Sequence, residues 1–257
     1  MNRGIYPILS GALAEERRMQ LLANNIANVN TAGFKQDEQA FQAVFTRRMS
    51  GPAPQVGLTT FIANMITARP TGGSERVFSA PHRVKTAFES GRVRMTGNPL
   101  DVAIQGDGFF EIKTPQGPRY TRNGMFSLDH QRRLVTNLGY PVMGLKGEIR
   151  IPPGTIQITG QGTIQVDGRT VATLKVMKFP DDAMPEKVAE GLFFGEKAEL
   201  MKNPQIQAGY IEESNVNAIG EMVKMIQGMR VYEAAQKLIR TFDRITEVAI
   251  QDVGRAG

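Results

Sequence analysis

Apolar residues recur in a 3,4 alternation from Ile5 to Val29. Ile5, Ala12, Met19 and Ile26 fall at one heptad position, and Ile8, Glu15, Leu22 and Val29 at the other. Only Glu15 breaks the stripe, which is the narrow seam of a coiled coil rather than the broader face of a helix lying on a globular core. The remaining faces carry Glu16, Arg17, Arg18, Gln20, Asn24 and Asn25, as expected for a covered seam in polar surroundings. A second helix is predicted from about Asn215 to a stop at Gly254. Its apolar positions run Val216, Ile219, Met222, Val223, Ile226 and Met229, then Val231, Ala234, Leu238, Phe242, Ile245 and Ala249. The phase shifts near Gly228, and the later spacing approaches an 11-residue repeat, which favours a nearly straight helix. Ser214 or Asn215 is the expected N-cap.

The texture between these helices is different. Over residues 84–180, short β-branched runs alternate with turn signals about every ten residues, the pattern of an antiparallel β domain. Gln116-Gly117, Asn123-Gly124 and Asp167-Gly168 read as hairpin turns, while residues 50–75, rich in Gly and Pro, read as a loop or linker. The expected fold is therefore α+β. Long N- and C-terminal helices form a coiled-coil-like core, and a mainly antiparallel β domain lies between them. The divisions are 1–35 (first helix), 36–80 (linker), 81–205 (β-rich domain) and 206–257 (second helix). A lone seam helix is marginal in water, since nucleation is costly and its stripe stays wet. The two helices must pair with each other or with other copies of the chain, and periodicity leaves both open.

The end of the first helix raises a separate question. In ANNIANVNTAGFK (residues 23–35), Ile26 and Val29 keep the seam while Asn24, Asn25, Asn28 and Asn30 occupy the other faces. Asparagine competes with the backbone for hydrogen bonds, so it suits helix ends and turns. Gly33 as the C′ residue of a fraying terminus is one reading. Neutral amides bridging neighbouring backbones beside the seam is the other.

Composition narrows the function. The 257 residues include no cysteine, which excludes disulfides and thiolate metal sites. The formal charge of +6 would attract nucleic acid if the cations converged, but Arg17-Arg18, Arg47-Arg48 and Arg132-Arg133 are far apart in sequence. No apolar run approaches the roughly 20 residues of a membrane-spanning helix. The apolar stretch near the N-terminus is short, interrupted by Pro7 and followed by charges, so it does not resemble a cleavable signal peptide.

Catalytic patterns are weak. Gln105-Gly106-Asp107-Gly108-Phe109 has two glycines of a phosphate loop but is followed by FFEIK, a strand, so a tight turn is expected there. His82 and His130 lie in predicted loops, with no HExxH motif and no GxSxG serine. The carboxylates Asp101, Asp107, Glu111 and Asp129 fit no motif. Neither an enzyme nor a cofactor is expected.

Three stretches, in this order, carry a resemblance: SGALAEERRMQLLANNIANVNTAGFK, NPLDVAIQGDGFFEI with YTRNGMFSLD, and GYIEESNVNAIGEMVKMI. They resemble the bacterial flagellar rod and hook axial proteins over nearly the whole chain apart from residues 36–80 and parts of 145–205. Within that family, IYPILSGAL and GYPVMGLKGEIRIP are most similar to proximal-rod members, with the distal rod and the hook as alternatives. The resemblance implies a structural part that assembles as a helical tube and transmits torque. It implies other rod subunits and copies of the chain as partners, with no nucleic acid or small-molecule substrate. It also implies delivery to the periplasmic part of the basal body by the flagellar type III export apparatus without a cleaved signal. The implied interface is Ile5, Ile8, Met19, Leu22, Asn24, Asn25, Ile26, Asn28, Val29 and Asn30 from the first helix, with Asn215, Val216, Asn217, Ile219, Met222, Val223, Ile226, Leu238, Phe242 and Ile245 from the second.

Overall fold

A computed structural model of the chain describes residues 5–40, 43–45, 77–79, 83–180, 183–189 and 191–255. Helix α1 spans Ile5–Ala27 and helix α2 spans Ala218–Arg255. Pro7 is tolerated because it lies in the first turn of α1, where its missing N–H has no intrahelical partner to lose. The N-cap of α2 is Asn217, whose Oδ1 accepts the Gly220 N–H at 3.2 Å. Asn215 is engaged elsewhere, and α2 runs through Gly254 to Arg255. Residues 50–75 lie outside the described residues.

The chain divides into two compact units. One comprises Met1–Met19, Gln39–Arg83 and Gln227–Gly257; the other comprises Gln20–Glu38 and Val84–Ile226. Within the first, α1 and α2 approach each other closely at Gly228. A Cβ there would lie 2.7 Å from Glu15 Oε1 and 3.3 Å from Met19 Cγ. The interruption of the α2 stripe is thus a place where a missing side chain admits the neighbouring helix.

The second unit holds the main core. A six-stranded sheet runs in the order Glu186–Ala189, Leu192–Phe194, Gly117–Thr121, Phe109–Thr114, Val176–Lys178, Glu199–Leu200, with every neighbouring pair antiparallel. Alternate residues of Phe109–Thr114 enter different clusters, as a pleated strand requires. Phe110 and Ile112 join Val102, Leu134, Ile149 and Leu174, whereas Phe109 packs with Tyr120, Met177, Phe179 and Phe193. The rings of Phe109 and Phe193 meet edge to face with centroids 5.3 Å apart. Both faces of this strand are covered, so it reads FFEIK rather than alternating cleanly, and the buried Glu111 is matched by Lys175 Nζ at 2.9 Å.

The turn expectations divide. Pro115 and Gln116 close a hairpin at Thr114↔Gly117. Asp167 and Gly168, at φ 50° and 80°, form the two left-handed positions of a type I′ turn between Val166 and Arg169. Asn123-Gly124 is not such a turn. A Cβ at Gly124 would lie 1.7 Å from the Val102 carbonyl oxygen, so glycine is required there by a close backbone approach.

The fold is α+β with a mainly antiparallel centre, but the two helices do not form a coiled-coil core. The large apolar clusters belong to the β region. Along α2 the expected seam is open: Ile219 is 76% exposed, Ile226 53%, Leu238 51% and Ile245 58%. A coiled coil needs two facing stripes of matched length. Here α1 has 23 residues against 38 in α2, and its stripe carries buried polar Glu15, with Asn25 buried beside it.

Candidate assembly site and its polar junction

The expected interface residues fall into three groups. Leu22 and Val216 are buried, while Ile8, Met19, Ile26, Val29 and Phe242 are half-buried. Ile219, Met222, Val223, Ile226, Leu238 and Ile245 are exposed. The side chain of Ile5 lies outside the described residues. The structure therefore leaves most of the apolar face of α2 open.

The asparagines divide in a way that spacing alone does not reveal. Asn24 and Asn30 are exposed. Asn28 closes the end of α1 on itself: its Nδ2 donates to the Asn24 carbonyl at 2.9 Å, and its Oδ1 accepts from Thr31 Oγ1 at 3.1 Å. Asn25, at 1% exposure, forms a bridge. Its Oδ1 accepts the Asp37 N–H at 3.1 Å, and its Nδ2 donates to the Asp37 carbonyl at 2.9 Å and to Glu221 Oε2 at 3.1 Å. Glu221, on the first turn of α2, also accepts from Gln36 Nε2 at 3.2 Å and Lys224 Nζ at 2.7 Å. The bridging reading holds for Asn25 and the helix-end reading for Asn28.

Asn215 makes a second bridge. Its Oδ1 accepts the Gln36 N–H at 2.7 Å, and its Nδ2 donates to the carbonyls of Ala87 at 2.9 Å and Glu89 at 3.1 Å. Asn217 is exposed apart from its capping role.

The third connection is a charge cluster that motif reading missed. Lys35, the last residue of the asparagine-rich stretch, is 1% exposed, Glu212 2% and Arg122 4%. Lys35 Nζ donates to Glu212 Oε1 at 2.7 Å and to the Glu89 carbonyl at 2.6 Å. Glu212 Oε1 also accepts the Gly91 N–H at 2.9 Å, while its Oε2 accepts from Arg122 Nε. The rest of the guanidinium donates to the carbonyls of Ile104, Gly106 and Gly108. The glycine turn thus presents carbonyls to a cation, the reverse of a phosphate cradle, whose N–H groups face an anion.

Burial opposes ionisation of Glu212, but the charges of Arg122 and Lys35 outweigh it and hold the carboxyl below its usual range. Burial dominates for Lys35, whose ammonium faces one carboxylate and the like charge of Arg122, so its pKa is lowered. Gly33 is positioned by the same cluster rather than by α1. It lies six residues beyond the helix, its N–H bonds the Glu212 carbonyl at 2.8 Å, and its φ is 68°. A Cβ there would lie 2.4 Å from the backbone of Arg122 and Asn123. It is therefore not the C′ residue of α1; close packing on the β unit is what demands glycine.

The catalytic candidates have local partners. Asp101 accepts from Asn98, Asp107 pairs with Lys178, Glu111 with Lys175 and Asp129 with Arg133. His130 is exposed at a turn and His82 lies outside the described residues. Among the described residues, no cluster of three or more His, Asp or Glu could hold a metal, and no helix is long and apolar enough to cross a membrane. Arg132 donates to the carbonyls of Ile151 and Pro152.

Comparison with known proteins covers the same elements. Residues 6–35 match the flagella basal body rod protein family, residues 103–166 the D1 domain of the flagellar hook protein FlgE/F/G family, and residues 207–252 the C-terminal family of flagellar basal body rod FlgEFG proteins. The basal-body rod protein FlgG of Buchnera aphidicola subsp. Schizaphis graminum is 32% identical over 93% of this chain and 95% of its own length. FlgG of Borreliella burgdorferi is 32% identical over 97% and 98%. FlgF of Rhizobium meliloti is 31% identical over 99% of both chains. With a helix at each end, a β-rich centre and these similarities in agreement, the chain belongs to the flagellar basal-body rod protein family, the structural components of the bacterial flagellar rod.

Proposed function

We infer that the open face of α2 is the surface through which this rod subunit joins copies of itself and other rod subunits, building a helical tubular segment that transmits torque. One observation carries this reading. Ile219, Met222, Val223 and Ile226 follow the i, i+3, i+4, i+7 spacing of a single helix face, and each is 49–76% exposed. A contiguous apolar face of this kind marks an interaction surface. Each side chain contributes about 1.5–3 kcal/mol once fully covered. Leu238 and Ile245, one heptad apart, continue the exposed positions. Heterologous contacts that do not close generate a helix rather than a ring. The exposed amides of Asn24, Asn30 and Asn217 would supply polar contacts there without burying charge.

The decisive variant is Ile219→Asp with Ile226→Asp. Both positions are already in water, so the isolated subunit should keep its stability within about 0.5 kcal/mol. Incorporation into purified basal bodies should be abolished, and normal incorporation sinks the reading. Leu22 is unsuitable for this test because it is buried and an aspartate there would damage the fold.

The end-to-end similarity to FlgF supports a proximal position, whereas the 32% identity to FlgG favours a distal one. Imaging where the rod stops in a deletion strain distinguishes them. Delivery by the flagellar type III apparatus without cleavage fits this role, and mass spectrometry of assembled subunits should recover the Ile5–Ala12 segment. No catalytic step and no nucleic acid enter this function, so gel shifts should show no salt-sensitive complex.

A further inference from the structure

The charge cluster contains an asymmetry. Arg122 is anchored by three carbonyls of the 104–108 turn, so the β strands themselves hold its guanidinium in place. Lys35 enters beside it with its ammonium almost fully buried. Two neighbouring cations stripped of water repel strongly, and the neutral carbonyls they meet do not neutralise either charge. The group that makes this juxtaposition tolerable is Glu212, 177 residues further along the chain, with one oxygen on each cation.

We propose that Glu212 is a charge gate on docking of the Ala32–Asp37 segment. That segment seats on the β unit only once the strand Tyr210–Glu212 has set a carboxylate between Arg122 and Lys35. The end of α1 is then fixed only after the C-terminal part of the chain has arrived.

The surrounding bonds follow the same order. The Gly33 N–H takes the Glu212 carbonyl and the Gln36 N–H takes Asn215 Oδ1, while Asn25 Nδ2 takes Glu221 Oε2. These three polar links from the 25–37 region reach residues between 212 and 221, beside others to Thr86, Ala87, Glu89 and Lys187. In a chain that emerges N-terminus first, Lys35 is available early, but its site is completed late. The end of α1 therefore docks fully only when Glu212 is in place. This device lies apart from the open face of α2 and stands or falls independently of it.

Three full-length variants test the gate: Glu212→Gln, Lys35→Met, and the two combined. The readout is hydrogen exchange at the amides of Gly33, Gln36 and Asp37, with the amides of Phe109–Thr114 reporting on the β core. Glu212→Gln keeps the shape but strands two cations, so exchange at the three amides should rise by about a hundred-fold, as when one partner of a buried ion pair is removed. Lys35→Met keeps the Glu212–Arg122 pair and should leave those amides protected. The double variant should recover protection lost in Glu212→Gln. The same recovery applied to the whole unit supports the gate if Glu212→Gln also loses the core. The proposal is overturned if Lys35→Met opens the segment as much as Glu212→Gln, or if the double variant is no better protected than Glu212→Gln.

Discussion

Replacement of Gly33 by alanine tests the packing of the 32–37 segment on the β unit, with Gly139→Ala as the comparison. The two glycines share a left-handed backbone, at φ 68° and 80°. They differ in surroundings. A Cβ at Gly139 meets nothing within 4 Å, whereas one at Gly33 lies 2.4 Å from the Arg122 carbonyl carbon and the Asn123 nitrogen. The dihedral strain is common to both and costs about 1–2 kcal/mol. At Gly33 the obstructing atoms are backbone, so the segment must move, adding about 1–3 kcal/mol of overpacking. That movement also stretches the bond from the Gly33 N–H to the Glu212 carbonyl, worth about 0.5–1.5 kcal/mol. Gly33→Ala should therefore be less stable than Gly139→Ala by about 1.5–4.5 kcal/mol, the sum of those two contributions. Urea unfolding of both variants measures the difference, and hydrogen exchange at Gln36 and Asp37 locates it. Equal destabilisation of the two within about 0.5 kcal/mol would refute the steric reasoning.

Two further outcomes are expected. Asn25→Ala strands the Asp37 N–H and removes a donor from the buried Glu221, costing about 2–4 kcal/mol, whereas Asn24→Ala at its exposed position should change stability by less than about 0.5 kcal/mol; denaturant midpoints separate the two. The folded-state pKa of Glu212 lies below its ordinary 4.5, so the folded state holds this proton less tightly than the unfolded state. Its contribution is therefore fully present above pH 4.5 and is lost as the pH falls through the depressed folded value. Urea midpoints taken from pH 7 to pH 3 should fall less steeply in Glu212→Gln than in the unaltered chain, and parallel curves would contradict the assignment. Lys35 acts at the other end: its folded pKa is below 10.5, so its unfavourable burial is relieved as pH rises toward that value.

The order of elements follows from the sequence alone. The 3,4 spacing of apolar residues predicts both helices, and the β-branched runs with their turn residues predict the antiparallel centre. These are local signals, because helix and strand periods are set by the backbone of each segment. The Asp167-Gly168 turn is legible for the same reason, since both positions demand a left-handed backbone. Tertiary structure decides what covers each face. An apolar stripe records that α2 has a face to bury without recording its partner, and the face remains open in the chain. Of four similar asparagines, only Asn25 becomes the buried bridge between Asp37 and Glu221, because only its position meets both groups. The roles of Gly33 and Gly124 lie in backbone from distant parts of the chain, at Arg122 and Val102, which no local window contains. The Lys35–Glu212–Arg122 cluster has no sequence signature for the same reason. Its members stand far apart along the chain, and burial that removes water turns three ordinary charged residues into a single interdependent unit.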